Sequence, residues 1–277
     1  MSPDSLFIFC AALFGLAIGS FLNVVIHRLP KMMEAEWRAQ CADLEGRPFD
    51  QKGVYNLWAP RSHCPACSAS LRITDNIPVV SYLALRGKCA FCGARISARY
   101  PIVESLTAVL SAVIAWRFGW GAAGLLGLLF TWMLIALTFI DADTTLLPDS
   151  ITLPLLWLGL LANTWGLFVP LADAVLGAVA GYLILWSIYW LFKLVTGKEG
   201  MGYGDFKLLA ALGAWMGWKM LLPIILLSSV VGAVVGIVLI VLAKRGREIP
   251  IPFGPYLAAA GLITFIYGDA IARFVPF

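Results

Sequence analysis

Residues 122–149 read AAGLLGLLFTWMLIALTFIDADTTLLPD. The stretch 122–140 is almost wholly apolar and close to the roughly 20 residues that cross a bilayer as a helix. It then runs into three carboxylates, Asp141, Asp143 and Asp149. Comparable apolar runs lie at 5–27, 101–118, 151–169, 172–195, 206–222, 223–243 and 254–273. Together they predict an all-α polytopic membrane protein of about eight transmembrane helices. The run at 206–222 is short, carries Gly213 and Gly217, and merges with the next at Pro223. No internal repeat or low-complexity stretch is evident.

The composition agrees. Of 277 residues, 61% are hydrophobic and 13% charged, and the mean hydropathy is +0.87. Soluble domains are about 45–50% apolar and about 25% charged, so this chain lacks the polar surface of one. Disorder needs low hydrophobicity and high charge, and is excluded by the same numbers. Eleven Trp and eight Tyr suit the membrane–water interface. The start, Met1-Ser2-Pro3-Asp4, has no basic segment, so the first apolar run reads as a retained helix rather than a cleavable signal peptide.

Charge is unevenly placed. Residues 28–100 hold 11 of the 20 Lys and Arg and 6 of the 16 Asp and Glu, and contain no spanning run. They form a polar insert between helices 1 and 2. With eight spans, the insert shares its side with 141–150, 193–207 and 244–250, which brings 17 basic residues together. Arg117, Lys219 and Arg273 stand opposite. The positive-inside rule then places the insert in the cytoplasm and both termini outside. The basic residues form no dense stripe, so the balance reads as membrane topology and not as nucleic-acid binding.

Four of six cysteines sit in the insert as Cys64-Pro-Ala-Cys67 and Cys89-Ala-Phe-Cys92. Two CxxC pairs at this separation suit one tetrahedral structural zinc. Such a thiolate site favours a reducing compartment. Disulfide exchange is the competing role of a CxxC pair. His63 adjoins Cys64 as a spare ligand, while His27 reads as a local hydrogen-bonding residue.

Carboxylates at membrane depth are costly and mark a pathway or a reaction site. The simpler reading is a wetted interface, and for Asp149, ahead of an apolar run, a helix cap. Asp205 follows Gly202-Tyr203-Gly204, whose glycines would let a substrate backbone come close. Two carboxyls meeting in a low-dielectric site cannot both ionise cheaply, and one ionised and one protonated acid can together activate water and protonate a peptide carbonyl. Asp141 and Asp143, two apart on a helix, face about 200° apart, so only one of them faces Asp205. Asp143, Gly202, Gly204, Lys207, Thr144 and Thr145 are candidate supporting residues.

Nearly the whole chain resembles the bacterial type IV prepilin peptidases. The resemblance rests on Gly15-x-x-x-Gly19-Ser20-Phe21-Leu22-Asn23, Arg28-Leu29-Pro30, the two Cys pairs, and Asp75-Asn76-Ile77-Pro78. It continues through Arg99-Tyr100-Pro101-x-x-Glu104, Asp141-Ala-Asp143, Leu147-Pro148-Asp149, Gly202-Tyr-Gly204-Asp205-x-Lys207 and Pro252-Phe253-Gly254-Pro255. It implies an inner-membrane aspartyl peptidase that removes the short basic leader of prepilins and type II secretion pseudopilins after a Gly, on the cytoplasmic side. It also implies N-methylation of the new N-terminal residue, usually Phe, from S-adenosylmethionine. The catalytic pair it implies is Asp141 and Asp205. Asp141 is preferred to Asp143 because the family's first aspartate lies seven residues before the Pro of its Leu/Ile-Pro motif, here Pro148. The expected division is a first helix (1–27), a four-cysteine module tied to methylation (28–100) and a peptidase core (101–277).

No glycine-rich strand-to-helix turn marks a methyl-donor site. Asp75-Asn76 and 85–104 are candidates for it or for folding the module, and 34–57 reads as a polar excursion without chemistry. Two other functions fit the residues: a general intramembrane aspartyl protease without methylation, and a transporter using Asp141, Asp143 and Asp205 as a proton relay. The transporter leaves the cysteines without a role.

Overall fold

The computed structural model describes residues 3–47, 53–241 and 252–273. The basic loop 244–250 and residues 48–52 of the polar excursion lie outside the described residues. The chain divides into two compact units, 1–120 and 121–277. Both are helical, and no strand occurs among the described residues.

In the first unit, helix α1 spans Pro3–Leu44. It covers the apolar run at 5–27 and continues well past it. Residues 31–44, KMMEAEWRAQCADL, are mostly good helix formers without glycine, so polarity ends the membrane segment but not the helix. The helix ends in a Schellman turn. Arg47 N–H reaches Ala42 O at 2.9 Å and Gly46 N–H reaches Asp43 O at 3.0 Å, with Gly46 at φ 65°.

Between α1 and the next long helix, the described residues of the polar insert have little regular structure: a 3-10 turn at Thr74–Asn76, a short helix α2 at Val80–Ala84, and two isolated bridges. Helix α3, Arg99–Phe118, then packs along α1. A Cβ on Gly15 would lie 2.7 Å from Ser111 Oγ, and one on Gly19 2.7 Å from Glu104 Cα. Gly15-x-x-x-Gly19 is therefore the small-residue face that lets the two helices touch. Side chains of both helices fasten the insert. Buried Arg28 donates to Asn56 O at 2.8 Å and Pro60 O at 2.6 Å, and buried Glu104 accepts Val79 N–H at 2.7 Å.

Among the described residues the second unit has six helices: α4 Ala122–Thr144, α5 Asp149–Thr164, α6 Leu171–Thr196, α7 Tyr203–Met216, α8 Leu221–Val241 and α9 Gly254–Ala272. Helix α7 is the hub, with every residue from Asp205 to Met216 buried except Lys207. It packs on α5, α6 and α9. A Cβ on Gly177 of α6 would meet Gly213 O at 2.3 Å, so these two helices touch backbone to backbone. On α5, Asn163 donates to Ala214 O at 2.9 Å, and Trp215 Nε1 donates back to Leu155 O at 2.8 Å.

The boundary drawn at Pro223 is corrected. Helix α7 ends at Gly217, φ 78°, a 3-10 turn covers Trp218–Met220, and Pro223 lies in the first turn of α8, where a missing N–H costs nothing. Each of the eight apolar runs has most of its described residues on helix, although residues 165–169 lie past the end of α5 and residues 242–243 lie outside the described residues. Among the described residues, five segments are long and apolar enough to cross a membrane by length and composition: α1, α3, α4, α6 and Trp218–Leu239.

Candidate active site

Asp141 sits in the last turn of α4, which Thr145 closes in a left-handed conformation while donating its N–H to Asp141 O at 2.8 Å. Its carboxylate is turned inward, and the residue is only 4% exposed. Gly254, at the start of α9, donates its backbone N–H to Asp141 Oδ2 at 2.9 Å. Asp205, 6% exposed, lies in the first turn of α7. It is close enough to Asp141 for that carboxylate's charge to act on it.

Leu147, in the connection from α4 to α5, packs against both segments. A Cβ on Gly204 would lie 2.7 Å from Leu147 Cβ, and one on Gly254 would lie 3.2 Å from Leu147 Cδ2 and 2.6 Å from Asp141 Oδ2. The site is thus built from α4, α7 and α9, and its glycines are where side chains would displace a carboxylate or its wedge. Gly202 differs: a Cβ there would meet nothing closer than 3.9 Å, which leaves open space beside Asp205.

The other candidate residues fall as follows. Asp143 is exposed, on another face of α4 from buried Asp141. Lys207 does not reach for the aspartate pair. Its Nζ holds both oxygens of Asp149 at 2.7 Å, tying α7 to the start of α5. Asp149 is accordingly the first residue of α5 and an ion-pair partner, and the cap position belongs to Pro148. Thr144 and Thr145 spend their hydroxyls on the backbone oxygens of Ile140 and Thr144. Gly254 was not among the residues expected at the site. Its signal was visible in Pro252-Phe253-Gly254-Pro255, a rigid turn opening an apolar helix.

In the first unit, the Sγ atoms of Cys64, Cys67, Cys89 and Cys92 all lie within 4.8 Å of one another. A tetrahedron with Zn–S bonds of about 2.3 Å has edges near 3.8 Å, and Cys64 and Cys92 stand 3.9 Å apart. The donor set fits one metal ion. Convergence of all four sulfurs also argues against two separate exchange pairs. His63 is not in the cluster and points its Nδ1 at Arg61 O, 3.1 Å away, while His27 pairs with Lys31.

The two Cys loops are copies of one turn. Ser68 N–H bonds Cys64 O and Cys64 N–H bonds Ala69 O; Gly93 N–H bonds Cys89 O and Cys89 N–H bonds Ala94 O. Bridges His63–Ser70 and Lys88–Arg95 close them identically. A short repeat is therefore present after all, in CPACSAS and CAFCGAR. Backbone N–H groups of Cys67 and then Ala66 draw the Cys64 thiol down to about 6. Cys92 goes up to about 11, because hydrogen bonding among the crowded thiols outweighs the Ala94 N–H that pulls it down. Four thiols this close cannot all ionise unless a cation joins them. In the same unit, Asp75 has a buried oxygen, Oδ2, without a hydrogen-bond partner among the described residues.

Two buried carboxylates, on α4 and α7, with an amide of α9 holding one of them, define an acid site among apolar helices, and a separate unit carries a four-cysteine cluster that could hold a metal ion. Comparison with known proteins narrows this. Residues 13–118 match the Bacterial Peptidase A24 N-terminal domain, and residues 128–237 match the Type IV leader peptidase family. A protein of Pseudomonas aeruginosa called prepilin leader peptidase/N-methyltransferase is 58% identical over 96% of this chain and 92% of its own length. Proteins of the same name from Aeromonas hydrophila and Burkholderia pseudomallei are 60% and 49% identical, over 94% and 96% of this chain and 91% and 87% of theirs. No solved structure matches. The chain belongs to the type IV leader peptidase family.

Proposed function

We propose that this chain is a prepilin leader peptidase and N-methyltransferase of the bacterial inner membrane. Asp141 and Asp205 carry the hydrolysis. The ionised member takes a proton from water as it attacks the scissile carbonyl, while the protonated member donates to the carbonyl oxygen; as the intermediate collapses, the first passes its new proton to the leaving amine and the second takes its own back from the hydroxyl that becomes the product carbonyl. Gly254 N–H steadies Asp141 throughout, and the open space at Gly202 admits the substrate backbone. The observation that carries this reading is the pair of buried carboxylates, Asp141 and Asp205, held within electrostatic reach on α4 and α7.

The substrates are prepilins and type II secretion pseudopilins, cut after a Gly with the leader and the cysteine module both in the cytoplasm and both chain termini in the periplasm. By task, 28–100 serves methylation and 101–277 cleavage, with 1–27 as the first membrane helix. One structural zinc in the four thiolates holds the module together. S-adenosylmethionine supplies an activated methyl group for the new N-terminal amine. The orphaned Asp75 oxygen is an acceptor of the kind a donor molecule's hydroxyl or amine would satisfy, and we place methyl-donor binding beside Asp75-Asn76 and 85–104.

Incubating the purified protein with a prepilin and methyl donor, then weighing the product N-terminus, tests both activities. A shortened and methylated product is expected. Shortening without methylation would turn the reading to a general intramembrane aspartyl protease, and ion flux in liposomes without cleavage would turn it to a transporter.

A further inference from the structure

We propose that Tyr189, Lys193 and Glu199 are positioning residues that fix the turn presenting Asp205. The inference rests on the reading of Asp205 as catalytic. Tyr189, on α6, is 1% exposed. Its hydroxyl accepts a hydrogen bond from Lys193 Nζ at 3.2 Å. Lys193 Nζ also holds Glu199 Oε1 at 2.8 Å. Glu199 belongs to the loop between α6 and α7, so the three groups clamp that loop where it approaches the site.

Tyr203 is the residue between Gly202 and Gly204 and opens α7, two positions before Asp205. Its ring lies 5.3 Å from that of Tyr189, and Phe206, next to Asp205 and fully buried, lies 5.7 Å from the same ring. Residues on both sides of Asp205 are thus fastened to one side chain of α6. Glycine on both sides of Tyr203 leaves the turn little stiffness of its own. The clamp supplies it. A catalytic group displaced by about 1 Å loses on the order of a hundredfold in rate, so a clamp on the turn acts through kcat.

The test uses the full-length protein with a prepilin substrate. Cleavage kcat and KM are measured beside methylation of a peptide already lacking its leader, which reports a folded chain. Tyr189→Phe keeps the ring and removes the hydroxyl. It should lower kcat about tenfold, with KM changed less than about twofold and methylation intact. Lys193→Met should do the same, and Lys193→Arg should recover most of the loss. Wild-type kcat in Tyr189→Phe, or a change in KM alone, overturns the proposal, as does joint loss of cleavage and methylation. Asp205→Asn separates the two failures. If it cleaves normally the reading of the site itself falls; if it is inactive while Tyr189→Phe is normal, only the clamp does.

Discussion

In the cysteine module, the facing sulfurs of Cys64 and Cys92 come from positions 28 apart in the chain; at the aspartate site, Asp141 and the amide that holds it, Gly254, are 113 apart. The first region is two copies of a hydrogen-bonded turn, each made by seven consecutive residues. The second exists only when α4, α7 and α9 have packed. A local turn with a metal tolerates distant change and fails when a ligand is lost. A site assembled from helix ends fails when any of those ends moves by a side chain's width.

The sharpest way to break this contrast is at the acids. Asp141→Asn and Asp205→Asn should each lower leader cleavage at least about a thousandfold, leaving bound metal and methylation of a pre-cleaved peptide unchanged. Near-normal cleavage in either would remove that residue from the site. The converse change comes next. Cys67→Ser and Cys89→Ser should each take metal, measured by elemental analysis of the purified protein, from about one ion per chain to about a tenth of that or less. Cleavage should stay within about threefold, since no ligand belongs to the unit carrying the acids. Full metal retention in both variants would sink the four-thiolate site.

A smaller effect probes the three-helix construction. Gly254→Ala would put a methyl group 2.6 Å from Asp141 Oδ2. Cleavage kcat should fall about 10- to 100-fold with metal content unchanged; an unaffected kcat would mean that the Asp141 carboxylate has room to spare. The smallest effect lies inside the repeated turn. Ser68 occupies at φ 57° the place where the second copy has Gly93 at φ 70°. Ser68→Gly should therefore stabilise the module by about 0.5 kcal/mol in chelator-induced unfolding, and Gly93→Ser should destabilise it by about 1 kcal/mol.

The same contrast explains what was legible in the sequence. The metal cluster was readable because its ligands and turns are set by spacing alone. The helices were readable because apolar runs near bilayer length have few alternatives. The end of α1 was missed because polarity stops a membrane segment without stopping a helix, and only Gly46 marks its end. Asp141 and Asp205 stood out as carboxylates beside apolar runs, yet what surrounds them did not. Nothing local links Gly254 to Asp141, and Lys207, placed beside the acids by its motif, is drawn to Asp149 by a contact 58 residues away. Tyr189 reads as one more aromatic in an apolar helix. Its importance comes from a lysine four residues on and a tyrosine across the next loop.

The meeting of Gly177 with Gly213, and of Gly181 with the carbonyl of Leu209, has a consequence for traffic through the second unit. Where two helices touch backbone to backbone, neither an acyl chain nor an extended polypeptide fits between them. The α6–α7 seam is in effect a closed door, and α7 stands against it as a fixed post. Whatever reaches Asp205 has to come along some other side of that post.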